Sequence, residues 1–173
     1  MSASEDELIL IGIGANLRSP ATGPAIDTCR AALLELERRS LVIARRSAWY
    51  RAAPLPPAPL PWYVNGVVAV ETGLGPEELL GLLQAIEHRF GRQRVGPNAA
   101  RVLDLDLLAW QRLVRSVPAP VLPHPRMQER AFVLRPLAEI APAWRHPLLD
   151  LTPAALLARL WPGQIAEPFP ATP

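Results

Sequence analysis

The stretch Arg101-Val-Leu-Asp-Leu-Asp-Leu-Leu-Ala-Trp110 alternates leucine with Asp104 and Asp106 at its centre. A period of two predicts a β-strand. Because successive side chains leave a strand on opposite faces, we expect the leucines to enter a core and both carboxylates to share the other face. Carboxylates roughly 6.5–7 Å apart along a strand can converge on hard cations, which prefer oxygen ligands. An isolated Asp-x-Asp is also typical of an ordinary half-buried strand with a solvated polar face. The surrounding sequence must therefore decide between a cation site and an ordinary strand.

The composition predicts one globular domain with a substantial core. The chain has 173 residues, of which 50% are hydrophobic and 20% charged, and this balance excludes general disorder. The formal net charge of +2 is too small to indicate a nucleic-acid partner by itself. All 18 basic residues are arginine, so only the placement of the arginines is informative.

Cysteine usage and the chain ends predict a cytoplasmic protein. The single Cys29 excludes an internal disulfide and suits a reducing compartment. The acidic start does not resemble a secretory signal, and no apolar run approaches the roughly 18 residues that a membrane span needs. We expect residues 1–7 and 162–173 to be loosely ordered tails of a single domain that covers 1–173.

The order of predicted elements indicates the fold class. The patterns predict strands at 8–14, 41–49, 62–72 and 101–110, helices at 24–38, 76–90 and 153–160, and a partly helical segment at 127–140. The first six elements follow the order βαββαβ of the ferredoxin-like α+β fold. We therefore expect a four-stranded antiparallel sheet with two helices on one face, and C-terminal appendages and ligand on the other.

The segment 52–61 has five prolines in ten residues, so it cannot form regular structure. A proline-rich ligand for a partner protein is one interpretation. We favour a stiff functional loop, because the segment lies between two predicted strands of one domain.

Arginines precede the acidic strand. Arg92 and Arg94 follow the second predicted helix, and Arg101 enters the strand. Guanidinium groups bind phosphate oxygens bidentately. Metal cations that are held by carboxylates also bridge phosphate oxygens. The arrangement predicts a polyphosphate site without a P-loop. Alternatively, Arg92 and Arg94 are helix C-terminal charges favoured by the macrodipole.

Residues on both sides of the acidic strand add candidate ligand contacts. His124 lies between two prolines that hold its backbone rigidly, as a positioned phosphate donor requires. Phe132 is either a core aromatic or a stacking surface for a flat heterocycle. Tyr63 and Asn65 share a strand face, and an amide can donate and accept at a heterocycle edge. A structural histidine and an asparagine satisfied by backbone are the ordinary alternatives.

Four segments in order resemble the 6-hydroxymethyl-7,8-dihydropterin pyrophosphokinases of folate biosynthesis. They are IGIGANL at 11–17, WYVNGVV at 62–68, IEHRFGRQR leading into RVLDLDLL between 86 and 108, and LPHPRMQERAFVLRPLAEIAP at 122–142. The resemblance covers most of the chain, and that family has the ferredoxin-like fold. It implies transfer of pyrophosphate from ATP to the pterin hydroxymethyl group, with release of AMP.

The resemblance also implies a role for each site residue. The implied catalytic residues are Arg92, Arg94, Asp104 and Asp106, of which the two aspartates hold two Mg²⁺ ions. The implied ATP-binding residues are Gln84, Glu87, Arg92, Arg94, Arg101, His124 and Arg130. The implied pterin-binding residues are Tyr63, Asn65, Phe132, Pro54 and Leu55. No general base is assigned, although either aspartate could take the hydroxyl proton.

The chain departs from the family pattern at two loops. Ala52-Ala-Pro-Leu-Pro56 stands where the family often has Thr-x-Pro-x-Gly, so contacts there must use the backbone. The loop between Arg94 and Arg101 lacks the tryptophan with which some members cover the active site.

Three rival functions are less consistent with the residues. An RNA-binding domain of the same element order would stack bases on strand aromatics, but carboxylates on the fourth strand repel RNA phosphates. A metal-dependent glycosyltransferase needs a longer chain with a Rossmann-like sheet, and an inactive scaffold does not need an acidic pair. We expect a monomer that binds small-molecule substrates, without nucleic-acid or membrane partners.

We predict that the loops 52–61 and 94–100 are the mobile parts of the ligand-free protein, since such loops gate substrate entry and release. A ligand-free crystal should show raised B-factors in both. Flat, low B-factors across both loops would contradict the prediction.

Overall fold

In a computed structural model, which describes residues 4–91 and 100–170, the Asp-x-Asp strand forms one edge of an antiparallel sheet. The strands are β1 (Ile9–Ala15), β2 (Val42–Arg46), β3 (Tyr50–Ala52), β4 (Tyr63–Glu71), β5 (Asp104–Trp110) and β6 (Ala166–Pro168). The α-helices are α1 (Ala25–Arg38), α2 (Pro76–Arg89), α3 (Ala131–Ile140) and α4 (Pro153–Leu157), with short 3-10 turns at Glu5–Glu7 and Met127–Glu129.

The sheet confirms the predicted ferredoxin-like topology. Its strand order is β5-β1-β4-β3-β6, and β2 pairs with the far end of β4. All the pairings are antiparallel. β1 lies between β4 and β5, and its register places Gly12 opposite Asp106 and Gly14 opposite Asp104. The two carboxylates therefore neighbour positions that have no side chain.

The leucine face of β5 packs on the helices, as predicted. Leu103, Leu105 and Leu107 are all buried in one core that also contains residues of α1 and α2. Burying a leucine side chain contributes about 1.5–3 kcal/mol, so these three residues anchor the strand strongly. The backbone of β5 cannot rotate its acidic face inward without exposing them.

Helix α2 begins and ends as its sequence predicts. Pro76 is its first residue, and the Glu78 carboxylate accepts a 2.7 Å hydrogen bond from the Gly75 amide. These features satisfy donors that the first turn leaves unpaired. Gly91 follows the helix with φ +86°, the left-handed conformation that favours glycine after a C-terminus.

Helix α3 covers part of the opposite sheet face. Val133, Leu137 and Trp144 pack there against Val67 and Leu108 in a second core. The helix leaves uncovered the part of this face beside the glycines of β1. Within residues 4–91 and 100–170, no helix has the length and apolar character to cross a membrane.

The second predicted strand is shorter than expected. The strand predicted at 41–49 is present as β2 but ends at Arg46, and the separate strand β3 at Tyr50–Ala52 was not predicted. Ser47 causes part of the break, because its hydroxyl accepts a hydrogen bond from the Val67 amide at 3.0 Å. Trp49 then packs against Gly66 of β4. Side chains from two strands thus decide a break that local alternation does not reveal.

The described parts of both predicted tails are attached to the domain. β6 pairs with β3 and extends the sheet beyond four strands, so the prediction of a loose arm at 162–173 is wrong for this part. The Glu5 carboxylate binds Arg45 at 3.0 Å and accepts a hydrogen bond from the Ala143 amide at 2.7 Å. The predicted helix at 153–160 ends earlier, at Leu157.

We predict that Gly66→Ala lowers the free energy of unfolding by about 1–3 kcal/mol. A Cβ atom at this position would lie 2.8 Å from the Trp49 ring, in the middle of the sheet. Gly81→Ala is the matched control, because its added Cβ would meet no atom within 4 Å among the described residues, apart from its chain neighbours and the backbone of its own helix. Alanine should stabilise α2 by about 0.5–1 kcal/mol. Urea denaturation of both variants measures the two effects, and equal effects of the same sign would contradict the prediction.

Candidate active site

The site is built on the polar face of β5. The side chains of Asp104 and Asp106 are 25% and 32% exposed, so both are accessible without being fully solvated. Gly12 and Gly14 of β1 lie beside them, and these glycines line a small cavity together with both carboxylates. A Cβ atom on Gly14 would lie 3.0 Å from the Asn65 Oδ1 atom, which explains why glycine suits this position.

Arg101 forms the first charged contact of the site. Its Nη1 atom lies 2.5 Å from Asp104 Oδ1, and its backbone amide donates to Asn16 Oδ1 at 2.8 Å. Burial works to lower the pKa of Arg101, but the neighbouring Asp104 and Asp106 carboxylates outweigh it and raise that pKa. The guanidinium is therefore a permanent positive charge in the cleft.

Arg130 and His124 approach the second carboxylate. Arg130 Nη1 lies 3.8 Å and His124 Nε2 lies 4.0 Å from Asp106 Oδ2. Both distances exceed that of a hydrogen bond, so neither side chain is locked to the carboxylate. Burial and then Arg126 lower the pKa of Arg130, although Asp106 opposes them. The side chains of Arg130 and His124 are therefore positioned to receive an anionic ligand.

The His124 ring is held in a defined orientation. Its backbone amide donates to the Leu108 carbonyl at 2.7 Å, which ties the residue to β5. Its Nδ1 atom accepts a hydrogen bond from the Arg126 amide at 3.2 Å. Burial and the Arg130 charge lower the pKa of His124 to about 4. The ring is therefore neutral at pH 7, and because Nδ1 is an acceptor, Nε2 carries the proton that faces Asp106.

A cleft of about 880 Å³, a volume that includes its open mouth, continues from the charged groups into an apolar part. Its lining includes the predicted pterin-binding residues Pro54, Leu55, Tyr63, Asn65 and Phe132 together with Arg101, Asp104 and Arg130. The structure thus brings the predicted heterocycle contacts and two of the predicted phosphate contacts, Arg101 and Arg130, into one continuous space.

Two aromatic rings contribute to the apolar part of the cleft. Tyr63 begins β4, and burial raises the pKa of its hydroxyl, so the group is neutral at pH 7. Phe132 lies in the first turn of α3, and the Arg130 guanidinium lies 5.5 Å from its ring centroid. Such a contact attracts the cation to the ring face and joins the charged part of the cleft to the aromatic part.

Asn65 offers an unsatisfied donor at the same place. The residue is only 6% exposed, and its Nδ2 atom is buried without a hydrogen-bond partner among the described residues. A buried donor without a partner costs about 1–3 kcal/mol. A ligand acceptor at the cleft wall would remove that cost, so the orphaned amide indicates a polar edge on the ligand.

Six predicted site residues are not in this cleft lining. Asp106 lines a small adjoining cavity, and His124 Nε2 lies 4.0 Å from its Oδ2 atom. Of the other four, Arg92 and Arg94 lie outside the described residues, and Gln84 is exposed on α2. Glu87 is buried, and its Oε1 atom accepts a 2.7 Å hydrogen bond from the Leu105 amide. Its charge also helps to raise the pKa of Arg101. Glu87 thus supports the acidic strand from the helix side, and contact of any of the four with nucleotide stays a prediction.

Sequence reasoning missed two contributors. Asn16 bridges the site, because its amide donates to the Pro61 carbonyl at 3.2 Å while its Oδ1 holds the Arg101 amide. Arg126 adds a third described guanidinium to the cleft lining. Both residues lie inside motifs that carry the family resemblance, and their presence there was the available signal.

The donor set suits a hard cation only in part. Within residues 4–91 and 100–170, no cluster of three or more His, Cys, Asp or Glu side chains could hold a metal ion. Asp104 and Asp106 provide carboxylate oxygens on one strand face, which are ligands that Mg²⁺ accepts. The remaining ligands would have to come from phosphate oxygens and water, and this is the usual coordination of Mg²⁺ at nucleotide sites.

The fold and the cleft together define a ferredoxin-like α+β protein with a combined phosphate and heterocycle site. The family model described as 7,8-dihydro-6-hydroxymethylpterin-pyrophosphokinase matches residues 10–142. The chain belongs to this family.

Relatives support the same assignment. The chain is similar to the 2-amino-4-hydroxy-6-hydroxymethyldihydropteridine pyrophosphokinases of Synechocystis, with 39% identity over 88% of this chain and 78% of that one, and of Pseudomonas aeruginosa, with 41% over 80% and 83%. A Plasmodium falciparum HPPK-DHPS structure aligns with a TM-score of 0.67 and 15% identity, covering 88% of this chain and 44% of that one. At that identity the likeness to the Plasmodium protein shows the fold alone.

We predict that NMR titration of His124 in the ligand-free protein gives a midpoint of about 4. An unfolded histidine titrates near 6.5, so as the pH falls from about 6.5 to about 4 the unfolded chain gains a proton that the folded chain does not, and the free energy of unfolding decreases. His124→Gln should therefore flatten this decrease, with the values at pH 7–8 as the reference. A midpoint near 6.5 would contradict the prediction.

Proposed function

We propose that this protein transfers the pyrophosphoryl group of ATP to the hydroxymethyl group of 6-hydroxymethyl-7,8-dihydropterin, and that AMP is released. Family membership supports the class of reaction. The observation that carries the proposal is one cleft in which Asp104 and three arginines lead into an aromatic pocket, with Asp106 in an adjoining cavity. The Asn65 amide in this cleft has no hydrogen-bond partner among the described residues.

The reaction has a simple balance of bonds. The substrate hydroxyl oxygen attacks the β-phosphorus of ATP, and the bond from that phosphorus to the α–β bridging oxygen breaks. AMP leaves with the bridging oxygen and its electron pair. The hydroxyl proton goes to solvent or to one of the two carboxylates. Because little covalent chemistry falls to the protein, catalysis rests on positioning and charge stabilisation.

The proposed cofactor is Mg²⁺, in two ions held by Asp104 and Asp106. When bound, such ions neutralise phosphate charge and orient the attacking and leaving oxygens. The partial exposure of both carboxylates supports this role. Rigid support comes from the buried leucines of β5 and from the hydrogen bond of Glu87 to the Leu105 amide.

The proposed triphosphate contacts are cationic or protonated groups around the acidic pair. Arg101 and Arg130 would bind phosphate oxygens, and the neutral His124 would donate from Nε2. Arg130 and His124 lie about 4 Å from Asp106, and this distance leaves their donors able to turn toward a ligand. Arg92 and Arg94 complete this set in our proposal as residues that neutralise the charge developing on transfer.

The proposed pterin site is the apolar part of the cleft. Tyr63 and Phe132 would stack on the two faces of the flat ring, while Asn65 would read its polar edge. Pro54 and Leu55 would close the site from the proline-rich loop. We further propose that the chain forms one domain, because the described parts of both chain ends pack on the same sheet. We also propose a monomeric, cytoplasmic protein, and the free, buried Cys29 is consistent with a reducing compartment.

We predict that the protein incubated with Mg·ATP and the hydroxymethyl dihydropterin releases AMP and no ADP. Asp104→Asn and Asp106→Asn should each lower kcat at least about 100-fold, because each removes a charged ligand from the transition state. Chelation of Mg²⁺ should stop turnover of the wild type. Asp27→Asn, which alters an exposed carboxylate paired with Arg30 on α1, is the matched control. Formation of ADP, or full activity of both site variants, would overturn the proposal.

We predict that Asn65→Ala raises the KM for the pterin about 100-fold or more, because a site built to pair with a ligand group discriminates strongly when that pairing is lost. The KM for Mg·ATP serves as the internal control and should change less than about threefold, since distant interactions act independently. Equal increases in both constants would mean that Asn65 supports the whole cleft rather than the pterin edge.

A further inference from the structure

Gln164 makes two hydrogen bonds on either side of Arg130. Its Oε1 atom accepts from the Ala131 amide at 2.9 Å, and its Nε2 atom donates to the Glu129 carbonyl at 2.8 Å. Gln164 lies beyond residues 10–142, which the family model matches. The C-terminal segment therefore contacts the backbone that carries a proposed phosphate-binding residue.

The helix that follows Arg130 lacks a local cap. Arg130 is the N-cap of α3, and its side chain forms no capping hydrogen bond. The amides of a first helical turn have no partner within the helix. The side chain of Gln164, 33 residues away in sequence, accepts the hydrogen bond of the Ala131 amide. It therefore has the role that a neighbouring serine or aspartate side chain has in an ordinary N-cap.

The same segment also holds the opposite wall of the cleft. The Ile165 carbonyl accepts a hydrogen bond from the Ala53 amide at 3.3 Å, at the start of the proline-rich loop. Ala166 packs with Ala52 and Ala131 in a small buried cluster. Residues 164–166 thus join the loop on one side of the cleft to the Arg130 backbone on the other.

We propose that Gln164 is a positioning residue, which fixes the Arg130–Phe132 backbone so that the guanidinium faces the acidic pair and the ring faces the heterocycle pocket. This inference rests on the proposed function for its catalytic consequence. It gives the C-terminal segment a role in the reaction, although no residue beyond 142 is among the proposed substrate contacts. Loss of Gln164 should misplace Arg130 without removing any proposed contact group.

Amide hydrogen exchange tests the structural part of the proposal without any activity measurement. In Gln164→Ala, exchange across residues 129–134 should become at least about tenfold faster than in the wild type, because a local opening is easier when a hydrogen bond is lost. Gln164→Glu retains the acceptor for Ala131 but not the donor, so it should show a smaller increase. Glu167→Gln, which weakens an exposed ion pair with Arg51 in the same segment, is the control. Unchanged exchange at 129–134 in Gln164→Ala would overturn the proposal.

A double-mutant cycle on kcat/KM for Mg·ATP tests the catalytic part. Gln164→Ala should lower this constant about tenfold, and Arg130→Ala should lower it further. If Gln164 acts through Arg130, adding Gln164→Ala to Arg130→Ala should cost less than about twofold more, whereas independent effects multiply. Multiplied losses, or wild-type kinetics in Gln164→Ala, would overturn the inference. Absence of AMP release from the wild type would instead overturn the proposed function, and the exchange measurement would still decide whether Gln164 holds the Arg130 backbone.

Discussion

The pairing of β5 with β1 is the constraint on which the site depends. Buried leucines fix one face of β5 against the helices, and the register with β1 sets the other face beside Gly12 and Gly14. A shift of one residue in this register would exchange the two faces, placing carboxylates in the core and leucines in the cleft. The position of the acidic pair therefore depends on the hydrophobic packing of the leucines on the opposite face of β5.

Charge balance is the second organising feature. Two carboxylates on one strand face repel each other when bare, and Arg101, Arg130 and the neutral His124 surround them. Arg101 forms a close ion pair with Asp104. Arg130 and His124 lie about 4 Å from the Asp106 carboxylate. In the proposed reaction, metal-bound triphosphate would enter between these groups, so the ligand-free cleft already has donors oriented for it. Such preorganised charges cost little reorganisation when the reaction takes place.

Local sequence patterns predicted much of the fold. Particular residues show which elements these patterns could not predict. The capping signals between Gly75 and Gly91 were sufficient to predict α2, and the leucine alternation was sufficient to predict β5. In both elements the local propensity agrees with the burial that the fold requires. The break between β2 and β3 depends on Ser47 and Trp49 meeting residues of β4, and β6 depends on pairing with β3. Neither partner is near in sequence, so alternation and proline content favoured one long strand and a loose arm.

The sequence by itself determined the βαββαβ order, the common face of Asp104 and Asp106, and the family, because these follow from side-chain periodicity and from motifs that are contiguous in the chain. Only the tertiary structure decided that the Asn65 amide is buried with no partner in residues 4–91 and 100–170, that Asn16 accepts a hydrogen bond from the Arg101 amide, and that Gln164 caps the helix after Arg130. The contacts of Asn16 and Gln164 depend on hydrogen-bond distances of about 3 Å between segments far apart in sequence. The state of the Asn65 amide depends on which groups surround it, and both are set when the sheet and its two cores pack together.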